Sequence, residues 1–152
     1  MKLEEAIKSS TFKSVQHKAS LNCMYTAWWL KSILGKELKA FGLTHEQYNV
    51  LRILKGKHPE QMCVRDIASR MMEKNSNVPR IIDRLVAKKW VERSTSSMDR
   101  RETVITITES GIEILSTSTK KVETLFDSLL TITESEAKML NDLLEKLREK
   151  EG

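Results

Sequence analysis

The 152-residue chain has few of the residues that mark disulfide-rich or low-complexity proteins: 2 cysteines, 2 prolines and 5 glycines. Cys23 and Cys63 form neither a CxxC motif nor a disulfide framework, which favours a reducing compartment. The longest stretches without charge, 19–30 and (apart from Asp127) 124–133, are shorter than the roughly 20 apolar residues of a membrane span. The start of the chain lacks the apolar region of a secretory signal. We therefore expect a single cytoplasmic domain over residues 1–152, with no membrane partner.

Residues typical of catalytic sites are equally scarce. The three histidines, His17, His45 and His58, are scattered and form no HxxxH or HExxH pattern, so we expect no metal site. The chain has no Gly-rich phosphate loop and no GxSxG nucleophile elbow. We expect a protein that is not an enzyme and that uses no cofactor.

The positive charge is concentrated in one quarter of the chain. The net charge is +5, from 26 Lys and Arg against 21 Asp and Glu. Residues 65–101 hold ten basic and five acidic side chains and so carry +5 alone, while the remaining residues, with 16 of each sign, sum to zero. Such a segment is typical of a surface that binds a polyanion, although an ordinary solvated basic face has the same composition.

Hydrophobic periodicity predicts four helices, a β-hairpin and two further helices, in that order. Capping boxes at Thr44 and Thr133 mark the starts of the second and the last helix, and Gly42 ends the first. Asn75 is the expected N-cap of the fourth helix, and Pro79 lies in or near its first turn. The predicted helices cover about residues 11–41, 44–56, 64–72, 75–89, 112–129 and 133–149, and the strands cover 91–94 and 103–108.

The fourth helix has one apolar and one polar face when it is projected at 100° per residue. The face expected in the core comprises Val78, Ile81, Ile82, Leu85 and Val86. The polar side presents Ser76, Asn77, Arg80, Arg84 and Lys88. The short helix before it is expected to bury Ile67, Ala68 and Met71, with Met72 as a further candidate. The two helices together are expected to form a helix-turn-helix.

The side chains on the polar face suit recognition of DNA. The second helix of a helix-turn-helix can lie in the major groove. Arginine can donate two hydrogen bonds to guanine and asparagine can pair with adenine, whereas Lys88, near the helix end, is better placed for a phosphate. A surface helix with a solvated cationic face would show the same pattern.

The polar tip of the predicted hairpin carries Asp99, Arg100 and Arg101. A basic tip directly after the second helix completes a winged helix-turn-helix, in which both arginines could reach the negative potential of a minor groove. Asp99 could bond the backbone of the turn or hold a neighbouring arginine in place. The fold class is thus mainly α with a small β-hairpin wing.

The chain resembles the MarR family of winged-helix transcriptional regulators over about residues 15–150. The resemblance implies an obligate homodimer that binds double-stranded DNA at a pseudo-palindromic operator and is typically a repressor. It also implies that Arg101 enters the minor groove, that helices about 11–41 and 109–149 interlock as a dimerisation lobe, and that residues 43–108 form the DNA-binding lobe. The segments that carry the resemblance are 42–54, 67–68, 76–85, 91–93, 99–101 and 107–111.

Two positions depart from the family pattern. Pro79 stands where a Ser or Thr often contacts DNA, which shifts base reading to Ser76, Asn77, Arg80 and Arg84. Trp90 is aligned with the glycine that usually ends the recognition helix. Without glycine a left-handed cap is not expected, and the indole is expected to pack underneath the turn.

The first predicted helix carries Tyr25, Trp28 and Trp29. The resemblance implies that such residues could line a pocket for a small aromatic effector, although aromatic residues at helical spacing more often form a core. Some relatives sense peroxide through a cysteine on this helix, but we expect Cys23 to be buried and inert. The alternatives to an effector-released repressor are a cysteine-based redox sensor and a winged-helix interaction module without DNA binding.

Overall fold

Seven helices and three strands make up the described part of the chain, residues 1–99 and 101–150 of a computed structural model. The mainly helical fold class and the predicted order of four helices, hairpin and two helices are confirmed, and α1 and β1 are additional elements. The helices are α1 (Leu3–Ile7), α2 (Val15–Lys39), α3 (His45–Lys55), α4 (Val64–Arg70), α5 (Val78–Ala87), α6 (Glu109–Leu129) and α7 (Glu134–Leu147). The strands are β1 (Met62–Cys63), β2 (Val91–Thr95) and β3 (Thr103–Ile107).

Both predicted capping boxes are present. In each, the threonine hydroxyl accepts an N–H three residues on, and that residue's side chain accepts the threonine N–H. The predicted N-cap of α5 is wrong: the cap is Asn77, not Asn75, and its Oδ1 accepts the Arg80 N–H at 3.2 Å. The reason is local, because the preceding turn uses the Ser76 N–H for the Glu73 carbonyl (3.1 Å) and delays the helix.

β3 is the central strand of a small antiparallel sheet with the order β1-β3-β2. The hairpin register pairs Val91 with Ile107 at its base and Thr95 with Thr103 near its tip. On the other edge, Met62 pairs with Ile105. β1 has only two residues, too few for an alternating pattern, so its pairing could be found only in three dimensions.

The hydrophobic core lies between α3, α4, α5 and the sheet. Met72, a candidate for this core, is 87% exposed because it lies beyond the end of α4, where its N–H donates to Asn49 Oδ1 at 3.0 Å. The side chains buried completely or nearly so include Leu38, Leu51, Leu54, Ile67, Met71, Ile82, Leu85, Val91 and Ile105.

The turn after α5 contradicts the prediction that a left-handed cap is absent. Lys89 has φ +60°, and the N–H groups of Lys89 and Trp90 donate to the carbonyls of Val86 (2.8 Å) and Leu85 (3.1 Å), the two bonds of a Schellman cap. The left-handed position is thus one residue before Trp90. Trp90 packs against the core as expected.

Hydroxyl groups at the start of α6 hold this left-handed turn in place. The Lys89 carbonyl accepts from Thr108 Oγ1 at 2.8 Å and from Ser110 Oγ at 2.9 Å. Gly111 permits the close approach of α6, since a Cβ at this position would lie 2.1 Å from the Trp90 carbonyl oxygen. The end of α5 is therefore fixed by contacts with α6.

The outer helices are less completely covered than α5. α6 buries Leu115 and Val122, and its Thr119 hydroxyl lies 3.0 Å from the Tyr48 hydroxyl of α3. α7 buries none of its residues. Its apolar side chains leave a continuous exposed face, with Met139 64%, Leu140 46%, Leu143 59% and Leu147 59% exposed. The assignment of 11–41 and 109–149 to dimerisation stays a prediction.

Candidate nucleic-acid interface

α4, the turn 71–77 and α5 form the predicted helix-turn-helix. The apolar face of α5 is buried through Val78, Ile82 and Leu85, as the projection predicted. The opposite face leaves Asn77, Arg80 and Arg84 exposed to solvent. The two faces are thus separated as the sequence indicated, and contact of the exposed side chains with DNA stays a prediction.

The N-terminal end of α5 presents fewer free groups than the sequence suggested. Asn77 uses its Oδ1 for the cap, so its Nδ2 group is the part available for a base or phosphate. The Ser76 hydroxyl is buried and has no hydrogen-bond partner among the described residues. Ser76 therefore does not expose its hydroxyl to solvent, and the DNA contact predicted for it stays a prediction.

Lys88 has contacts inside the protein that the sequence did not indicate. Its ammonium donates to the Gly42 carbonyl and, at 3.2 Å, to Gln47 Oε1, and it lies 4.7 Å from the centroid of the Trp90 ring. Partial desolvation lowers the pKa of Lys88 from its usual value, and the positive charge of Arg84 lowers it further. The phosphate contact predicted for Lys88 stays a prediction, but most of its donors are already engaged.

In the described part of the wing, side-chain to backbone bonds connect the residues near the tip of the hairpin. Ser96 Oγ accepts the N–H groups of Met98 (3.2 Å) and Asp99 (3.3 Å). Asp99 Oδ1 accepts the Arg101 N–H at 2.8 Å, so of the two roles weighed for Asp99 the structure has the bond to the turn backbone. Arg101 is exposed at this tip, and Arg100 lies outside the described residues.

An ion pair connects α5 directly to the wing. Asp83 on α5 bonds Arg93 on β2, and both side chains are about half exposed. The arrangement fixes the wing relative to the recognition helix α5, although an exposed pair adds little stability. No local sequence pattern predicts this pair, because the partner of Asp83 lies on another element.

Two more contacts join α2 to the DNA-binding lobe. His45 Nε2 lies 2.6 Å from the Lys31 carbonyl, and Gly35 makes room for the ring, since a Cβ there would lie 2.8 Å from Nε2. The Lys31 ammonium bonds Glu73 in the turn before α5. Sequence reasoning missed these contacts because no local pattern connects residues 14 or 42 positions apart.

Two clefts lie beside α5. One, of about 540 Å³, surrounds Lys88 and Arg84, and the other, of about 330 Å³, lies near Asn77 and Arg80. Neither is lined by the predicted effector residues Tyr25, Trp28 and Trp29. Tyr25 and Trp28 form a ring pair with centroids 5.5 Å apart, and Trp28 is 60% exposed, so these residues are not a core cluster of one protomer.

Cys23 differs from expectation, and the two cysteines differ from each other. Cys23 is only partly buried, which corrects the expectation of a buried residue. Cys63 is buried, and its Sγ accepts the Asp66 N–H at 3.4 Å as the N-cap of α4.

Within residues 1–99 and 101–150, no three His, Cys, Asp or Glu side chains cluster as a metal site would require. None of the described helices has both the length and the apolar character of a membrane span.

The helix-turn-helix α4–α5, followed by the β2–β3 wing, defines a winged helix-turn-helix protein. Residues 43–103 match the MarR family. The chain is 33% identical over 122 residues to YpoP of Bacillus subtilis (strain 168), an uncharacterised HTH-type transcriptional regulator. The aligned residues cover 80% of this chain and 82% of YpoP. The chain therefore belongs to the MarR family and is a transcriptional regulator of that family.

Solved structures share the fold at lower sequence identity. MepR of S. aureus in complex with DNA has a TM-score of 0.77 and 23% identity, over 86% of this chain and 96% of MepR. CouR of Rhodococcus jostii RHA1, bound to p-coumaroyl-CoA, has a TM-score of 0.74 and 20% identity, over 90% of this chain and 95% of CouR.

Proposed function

We propose that the protein is a homodimeric, sequence-specific DNA-binding repressor that a small-molecule effector releases from a pseudo-palindromic operator. The observation that carries this proposal is the exposed face of α5, on which Asn77, Arg80 and Arg84 lie opposite the buried Val78 and Ile82. Membership of the MarR family supports it. In each protomer α5 reads base edges in the major groove, and Arg101 of the wing enters the adjacent minor groove.

The dimer is supported by the exposed apolar face of α7. A stripe of four side chains, each about half exposed, is unfavourable in water and marks an interaction surface. A twofold partner covers it with its own α7 and α2. The same symmetry sets the two recognition helices about 34 Å apart, one turn of DNA, so that both half-sites are read together.

Release by an effector is supported by the complex of CouR with p-coumaroyl-CoA. In this chain Tyr25, Trp28 and Trp29 are the candidate contacts for a small aromatic molecule, which would change the spacing of the recognition helices. A coupling of about 1–3 kcal/mol between the two sites is typical of such regulators. The function is one of binding, not catalysis, and it takes place in the cytoplasm, where the DNA lies.

The test of base reading is Arg84→Ala, measured by gel shift on an operator selected from a random DNA pool and on unselected DNA. We expect a loss of about 1–3 kcal/mol on the operator and a much smaller loss on unselected DNA. Lys121→Ala removes the same charge from α6 and is expected to change neither affinity. Asn77→Ser keeps the helix cap and removes the amide, so it tests that donor alone. Equal losses on both DNAs would reduce Arg84 to a phosphate contact.

The test of the wing is Arg101→Ala, measured as the salt dependence of operator binding. Removal of one cation from the DNA contact lowers the slope of log K against log salt by about 1. Met98→Ala, at the same exposed tip, carries no charge change and serves as the control. If Arg101→Ala leaves both slope and affinity as in the native protein, the wing takes no part in binding.

A further inference from the structure

The end of the recognition helix is connected to a distant part of the chain by one side chain. Lys88 is the C-cap residue of α5, and its ammonium bonds the Gly42 carbonyl and the Gln47 amide oxygen. Gly42 belongs to the turn 40–44 between α2 and α3, and Gln47 lies on α3. Lys88 thus joins the recognition helix to the junction of the long helix α2 with the DNA-binding lobe.

Both acceptors are held rigidly by the surrounding structure. Gln47 is 3% exposed, and its Oε1 also accepts the Thr44 N–H at 3.2 Å in the capping box. Gly42 has φ +66°, which suits a glycine, and its N–H donates to the Lys39 carbonyl at 3.0 Å. The ammonium therefore binds to fixed atoms, not to a mobile loop.

A phosphate contact of Lys88 in the observed arrangement would have only one free donor of the ammonium. An ammonium has three donors, and two of them are used by Gly42 and Gln47. The face of Trp90 lies 4.7 Å away and stabilises the charge on another side. To bind a phosphate through more than one donor, Lys88 would have to give up at least one of these partners.

We propose that Lys88 is a positioning residue for DNA binding, which fixes the C-terminal end of α5 against the turn 40–44. The orientation of α5 determines whether Asn77, Arg80 and Arg84 reach base edges, so Lys88 acts on specificity through them. This inference rests on the proposed function, namely operator binding through α5. The Schellman cap and the bonds of Thr108 and Ser110 to the Lys89 carbonyl do not use the Lys88 side chain. We therefore expect loss of Lys88 to change the orientation of α5 without unfolding it.

The experiment compares Lys88→Met with Lys89→Met in the full-length protein. The two variants lose the same charge at adjacent positions, and Lys89 has no side-chain hydrogen bond or ion pair among the described residues. Affinity is measured for a selected operator and for unselected DNA at several salt concentrations. Amide hydrogen exchange without DNA reports on residues 42–47 and on the last turn of α5.

We expect Lys88→Met to weaken operator binding at least about tenfold more than Lys89→Met, because a displaced α5 makes poorer contacts with base edges. The two variants bind unselected DNA equally, and exchange at 42–47 and in the last turn of α5 is faster for Lys88→Met alone. Equal losses on both DNAs, with a salt slope lowered by about 1 for Lys88→Met only, would make Lys88 a phosphate contact and overturn the proposal. Unchanged hydrogen exchange would also overturn it. If the native protein selects no operator, the proposed function fails. The exchange result still tests whether Lys88 holds the end of α5 against the turn 40–44.

Discussion

The helices α5 and α7 have similar amphipathic sequences but different surroundings. α5 buries Val78, Ile82 and Leu85 in the core, while α7, with a stripe of four large apolar side chains, buries none of its residues. A stripe at helical spacing indicates that a helix must be covered on one side, but not by what. For α5 the cover is provided by other elements of the same chain. For α7 it is not provided by the described residues of its own chain, which favours a second copy.

The difference divides the molecule into a core region that elements of its own chain cover and outer helix faces that they do not. The DNA-binding lobe has a buried core, and its recognition helix is tied to the wing, to α6 and to the turn 40–44. The outer helices expose Trp28 on α2 and Leu143 on α7. Substitutions in the two regions should therefore have different effects.

The largest effect is expected from Leu143→Glu on α7. A carboxylate in the middle of the apolar face opposes its burial in a dimer. A monomer reads only one half-site, so operator affinity should fall by about 4 kcal/mol, or about a thousandfold. Asn141→Glu adds the same charge outside the stripe and should remain dimeric. Light scattering on the purified proteins measures the mass, and a dimeric Leu143→Glu would remove α7 from the interface.

The next effect is that of Ile82→Ala, measured by urea unfolding of the Leu143→Glu protein. Ile82 is completely buried, so its truncation leaves a cavity and should lower the free energy of unfolding by about 3 kcal/mol. Leu140→Ala in the same protein should lower it by less than about 0.5 kcal/mol, as for a surface position. A large loss for Leu140→Ala would mean that α7 is covered by its own protomer.

Most of the fold could be predicted because local patterns encode it. The capping boxes at Thr44 and Thr133 and the apolar face of α5 were identified correctly from residue type and spacing alone. The two-residue strand β1 and the short helix α1 were missed, since their stability depends on contacts with other elements. The sequence predicts Asn75 as the N-cap instead of Asn77 because both are asparagines. The conformation of the preceding turn determines which of them caps α5.

The charges of the candidate site could be predicted from the sequence, but the burial and hydrogen bonds of its side chains could not. The cations of α5 and of the wing were found from the sequence, whereas the burial of the Ser76 hydroxyl and the bonds of Lys88 were not. These contacts join residues far apart in the chain, for which one sequence has no signal. The absence of a glycine at the end of α5 predicts that no residue there is left-handed. Lys89 nevertheless adopts this conformation, because Thr108 and Ser110 hold its carbonyl.

The smallest effect is expected from Lys89→Gly, which would relieve a strained position in the well-packed lobe. A residue with a Cβ in the left-handed region costs about 1–2 kcal/mol, whereas glycine adopts this region freely but loses more chain entropy on folding. The net gain should be about 0.5 kcal/mol in the free energy of unfolding. Lys89→Ala removes the same side chain and charge but keeps the Cβ, so it should give no gain. Equal unfolding curves for the glycine and alanine variants would contradict a strained Lys89, and with it the view that contacts from α6 impose the turn.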